Sequence, residues 1–207
     1  MMSSTFRLAR GVAVADLSGI HEGYSVEAAP RGHAVFTVNV SAERMRTVFE
    51  RLASEVSDPG FLVLEVGTHE SVEKTLRKSS TDPFHKDVYY LDALSHEGLR
   101  EILDRHGDLL THDGGIHFGF GGSGGIDEVY VGPYKILHIY ANAPEKYVRA
   151  LQDLGFVGEP RLKTVWDNFT AEAPGKRMVL TDVKTTIWSL IEELKTQGLY
   201  FAERRDA

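Results

Sequence analysis

A chain of 207 residues, 42% apolar and 26% charged, is long enough to bury about 70% of the surface its extended form exposes, so it needs no covalent staple to hold a core. It contains no cysteine, which excludes disulfides, thiolate nucleophiles and Cys-ligated zinc or iron–sulfur centres, and which suits a reducing, cytoplasmic compartment. A formal charge of −7 argues against nucleic acid as a partner, since phosphate binding needs clustered Lys and Arg, and no run approaches the roughly 20 apolar residues of a membrane span.

The first 17 residues carry Arg7 and Arg10 without the apolar core of a signal peptide. Residues 34–40 alternate, with Ala34, Phe36, Val38 and Val40 on one side, and predict a strand. The period then changes: Ser41 is placed to cap a helix, and Met45, Val48, Phe49, Leu52 and Val56 recur at helical spacing. Asp58, Pro59 and Gly60 stop it, and residues 61–66 form a short apolar run that reads as a buried strand. After Thr68 a weak, exposed helix is expected, with Glu70 and Lys74 paired four apart. Residues 88–91 predict another strand, and Ser95 opens a helix whose buried stripe is Leu99, Ile102 and Leu103, with Gly107 as its stop.

Four strands are predicted next, at 109–112, 116–120, 126–131 and 134–140. They are separated by Asp113-Gly114-Gly115, by a glycine-rich link and by Gly132-Pro133, so an antiparallel meander is expected. A helix begins near Asn142 with Pro144 in its first turn, turns Tyr147, Val148, Leu151 and Leu154 inward, and ends at Gly155. Residues 182–197 predict the last helix, built on Ile187, Leu190, Ile191 and Leu194, while Trp166 and Phe169 lie in an irregular link over the core. The elements predict one α+β domain over 1–207: a mixed or antiparallel sheet with a central four-stranded meander and several amphipathic helices packed on it. Two lobes, 1–92 and 93–207, are the alternative.

Gly119, Gly121 and Gly124 match the spacing of a dinucleotide-binding fingerprint, but the residues that follow alternate like a strand. The physics of that fingerprint needs a helix there, so the tract is expected to be a hairpin connection. His112, Asp113 and His117 offer divalent-metal ligands if a two-residue turn at Asp113-Gly114 makes the histidines diagonal neighbours about 7–8 Å apart. A longer loop puts them on opposite faces. Asp127 and His138 face one another if Gly132-Pro133 is a tight turn, as a carboxylate and imidazole do in acid–base catalysis. Tyr89, Tyr90, Tyr130, Tyr134, Tyr140 and Tyr147 gather in the middle and later chain, suited to a cleft or an interface.

Two functions are compatible with this pattern. The first is a non-catalytic protein-binding or regulatory protein, an inhibitor or antitoxin-like neutraliser, whose acidic balance favours a basic partner. The second is a small-molecule or metal-dependent enzyme, with His112, Asp113 and His117 as metal ligands and Asp127 and His138 as an acid–base pair. The absence of a strict ligand or nucleophile motif favours the first, and no cofactor is specified by the residues.

Overall fold

A computed structural model describes residues 6–29 and 32–207. Its elements in chain order are β1 (Val12–Ala13), β2 (Gly23–Ala28), β3 (Ala34–Asn39), α1 (Ala42–Ala53), β4 (Gly60–Gly67), α2 (Glu70–Leu76), β5 (His85–Leu94) and α3 (His96–His112). There follow β6 (Ile116–Gly122), β7 (Glu128–Val131), β8 (Leu137–Ala141), α4 (Pro144–Asp153), β9 (Lys176–Arg177), α5 (Ile187–Lys195) and β10 (Tyr200–Asp206). The class is α+β. Eight strands form one antiparallel sheet in the order β10-β5-β4-β6-β7-β8-β3-β2, and β1 pairs with β9 beside it.

The helical periods organise one side of this sheet. Met45, Val48, Phe49 and Leu52 of α1, Leu99, Ile102 and Leu103 of α3, Tyr147 and Leu151 of α4, and Leu190 and Leu194 of α5 all enter one core cluster. They meet the alternate strand residues Phe36, Val38, Leu62, Leu64, Phe118, Phe120, Val129, Leu137 and Ile139. Burial of such a contiguous apolar set is the dominant favourable term in folding. Strands from both halves of the chain interleave, with β6, β7 and β8 lying between β4 and β3.

One predicted strand is helical. Residues 109–112 are the last turn of α3, which runs through Gly107 to His112. A glycine inside a helix costs only about 1 kcal/mol against alanine, while continuing the helix adds buried Leu109 and Leu110 to the stripe begun by Leu99 and Ile102. The meander of consecutive strands therefore has three members, β6, β7 and β8. Its second link is not a tight turn: Pro133–Lys135 is a short 3-10 segment in which Tyr134 and Lys135 have φ of 56° and 60°. Ser41 stands at the N-cap of α1, but its hydroxyl accepts from the backbone N–H of Arg7 instead of from the helix. Ser95 does cap α3, accepting from the Gly98 N–H.

Candidate functional site

The sheet's other side carries none of that core cluster. Its ladder registers align the side chains in rows. One row runs Tyr200, Tyr90, Val63, Gly119, Tyr130, His138, Thr37 and Ser25, through all eight strands. Beside it, Phe61, Gly121, Glu128, Tyr140, Val35 and Glu27 form a second row, and Glu203, Val88, Glu65 and His117 a third. Tyr90, Glu128, Tyr130, His138 and Tyr140 are all half-buried.

The glycine tract that resembled a phosphate loop has a packing role here. A Cβ on Gly121 would lie 2.3 Å from the Phe61 ring, and one on Gly119 would lie 3.0 Å from Tyr130 and Val63. Bare backbone in β6 thus lets aromatic rings from both neighbouring strands lie down across it, and the chain then turns directly into β7 with no helix. Phe61 meets Tyr90 edge-on at 5.7 Å, and Tyr90 meets Tyr200 at 6.4 Å.

Glu128 sits in this aromatic floor. It is directly opposite Tyr140 and two residues from Tyr130 on the same face, and among the described residues its carboxylate has no hydrogen-bonded or ionic partner. Burial, reinforced by Glu65, raises its pKa above the ordinary carboxylate value. Burial likewise raises the hydroxyls of Tyr90, Tyr130 and Tyr140, and Glu128 adds to each shift. Glu65 is compensated differently, holding Lys86 Nζ at 2.7 Å with Arg205 at 3.7 Å.

The residues predicted from sequence are distributed around this face. Asp127 and His138 do not meet: by strand alternation they lie on opposite faces, and His138 is level with Tyr130, three residues or about 10 Å along β7. Asp127 instead accepts from the Asn142 N–H at 2.8 Å and pairs with Lys146 at 2.5 Å, tying the hairpin to α4. His112 ends α3, and its Nδ1 accepts from the backbone N–H of Arg10. Asp113 is buried and accepts the N–H groups of Gly115 and Leu180, each at 2.8 Å. Of the three metal candidates only His117 lies in the rows, and His138 lies in another row. Because His112 is helical, the hairpin register that would have paired the two histidines does not exist, and among the described residues no group of three His, Asp or Glu side chains is placed to hold a metal.

Below β6 a single ammonium braces the site. Lys135 is 6% exposed and donates to the carbonyls of Leu110 and Ile116, both at 2.7 Å. Full burial brings its pKa down to about 7, partly offset by Asp113. Its left-handed backbone and its place at the C-terminal turn of α3, where carbonyls need a cation, account for the sharp link between β7 and β8.

Sequence reasoning collected the tyrosines but missed Glu128, although its alternation with Val129 already put it beside Tyr130 on the polar side. Comparison with protein-family models, with curated proteins and with solved structures returned no match. Among the described residues no helix is long and apolar enough to cross a membrane.

Proposed function

We propose that this chain is a non-catalytic binding protein that receives a basic side chain of a partner protein on the open face of its sheet. The observation that carries this reading is Glu128, a half-buried carboxylate without a cation among the described residues, set beside Tyr130 and Tyr140. A guanidinium or ammonium entering there gains a charge-assisted hydrogen bond and the negative faces of aromatic rings. It also removes the cost of an unpaired buried charge, so the site is built to gain more from a cation than an exposed glutamate would. The formal charge of −7 steers a basic partner toward the protein. Inhibition of a basic enzyme or toxin is the form of regulation that suits such a surface.

Glu128→Gln separates binding from folding. Calorimetric titration with short lysine- and arginine-containing peptides is expected to show salt-sensitive binding that the substitution weakens by about tenfold or more, the scale of one charge-assisted contact. The same substitution is expected to raise the thermal midpoint of the free protein at neutral pH. A carboxyl whose folded pKa is raised loses stability as pH climbs through 4.5 toward that value, and glutamine removes the loss. Equal binding of acidic and basic peptides, or an unchanged affinity for Glu128→Gln, refutes the assignment.

A further inference from the structure

The end of the sheet where β4 stops and β6 begins opens into a cavity of about 620 Å³ that the open-face reading does not use. That volume lies within the roughly 300–1,000 Å³ of small-molecule sites. One wall is apolar: Ile187 and Trp188 from the first turn of α5, and Val179, which leaves 63% of its surface exposed at the rim. The opposite wall is polar, formed by Glu65, Lys86, His117 and Arg177.

The charges on that wall do not cancel. Glu65 is neutralised by Lys86, and Asp113 is occupied by two backbone N–H groups. Arg177 has no carboxylate partner among the described residues; its one side-chain hydrogen bond is donated to His117 Nε2 at 3.0 Å. A guanidinium can only donate, so Nε2 is the bare nitrogen and the imidazole proton resides on Nδ1. His117 is 7% exposed, and its Nδ1–H has no acceptor among the described residues. Burial first, then Lys135, Arg177 and Lys86, hold its pKa down to about 3, so the ring stays neutral and keeps this tautomer. The first turn of α5 adds the positive end of a helix dipole.

We propose that this cavity binds a small molecule bearing one carboxylate on an apolar, preferably aromatic, body. The carboxylate meets the Arg177 guanidinium, which His117 holds through its Nε2, and the body lies against Trp188, Ile187 and Val179. One unneutralised cation beside a compensated glutamate selects a monoanion; a dianion would meet Glu65.

The test is calorimetric titration of the full chain with phenylacetate, indoleacetate and octanoate, with phenylacetamide and inorganic phosphate as controls. At least one carboxylate is expected to bind with a sub-millimolar Kd. Phenylacetamide and phosphate are each expected to bind at least about tenfold more weakly than phenylacetate, as a lost charge-assisted pair implies. Arg177→Gln is expected to lower carboxylate affinity by about tenfold or more, and Trp188→Ala to lower it with the amide in parallel; thermal melts of both variants establish that they fold. Glu128→Gln is expected to leave carboxylate binding unchanged, which separates failure here from failure of the open-face proposal. Absence of binding by all three carboxylates, equal affinity for phenylacetate and phenylacetamide, or unaltered binding by Arg177→Gln overturns the assignment.

Discussion

Gly114→Ala is expected to cost about 3 kcal/mol of stability, because three chain segments meet at that Cα with no room for a methyl group. The Gly11 N–H donates to the His112 carbonyl at 2.7 Å, the Met178 N–H to the Gly11 carbonyl at 2.8 Å, and the Gly114 N–H to the Met178 carbonyl at 3.0 Å. A Cβ on Gly114 would stand 1.9 Å from the Gly11 oxygen and 2.8 Å from the Met178 nitrogen. Both are backbone atoms, so no rotamer change relieves the clash and the segments must part. Three hydrogen bonds at about 1 kcal/mol each set the magnitude, which for a domain of this size lowers Tm by roughly 6–12 °C. Gly124→Ala is the matched control, since a Cβ there meets nothing within 4 Å. The junction also delivers β9, and with it Arg177, to His117. Opening it is expected to weaken carboxylate binding in parallel with stability; a Gly114→Ala protein that melts with the wild type would show that the junction is not needed.

Acid is expected to destabilise the fold well before its carboxylates titrate, and His117 is the principal cause. Its folded pKa, about 3, lies below the ordinary 6.5. Between those values the unfolded chain binds a proton that the folded chain refuses. Stability from this group is therefore complete above pH 6.5 and is lost as pH falls toward 3, by about 1.4 kcal/mol per pH unit and about 5 kcal/mol as an upper bound. Burial lowers His112 and His138 in the same direction, whereas His21, hydrogen-bonded to Glu159, is raised and opposes them. The informative quantity is the difference between wild type and His117→Gln in urea unfolding from pH 7 to 4.5. Glutamine can still accept from Arg177 but does not titrate, so its curve is expected to be flatter by about 1.4 kcal/mol for each unit below pH 6. Parallel curves would mean that the imidazole is protonated inside the folded protein, and the tautomer assigned to it in the cavity would fall as well.

These effects depend on different parts of the molecule. The junction holds Arg177 in the polar wall of the cavity, His117 lies in the same wall, and Glu128 acts on the open face in the row of Phe61 and Tyr140. Substitutions at Gly114, His117, Glu128 and Arg177 thus have separable signatures in melting, pH dependence, peptide binding and carboxylate binding.

The local pattern of residues was enough to place α1, α3 and α4 and the strands around Phe36, Leu64 and Phe118, because a 3.6-residue or two-residue apolar period assigns each side chain to a face whatever lies opposite. It also excluded the dinucleotide loop, since the residues after Gly125 alternate. It failed where distant partners supply the stabilisation. β10 is almost wholly exposed and its last four residues are charged, and it forms because it pairs with β5, with Arg204 clasping Asp87 at 2.6 Å. α3 passes Gly107 because a neighbouring surface buries Leu109 and Leu110. The sites were still less legible: Phe61, Glu128 and Tyr140 come into one row only through the strand order β4-β6-β7-β8, and Arg177 reaches His117 only through a junction of three backbones. Residue order by itself determined which side chains face the core and which face away. Tertiary structure alone decided which outward-facing groups share a surface, because strand order, register and the approach of separate segments are set by long-range packing that no local period encodes.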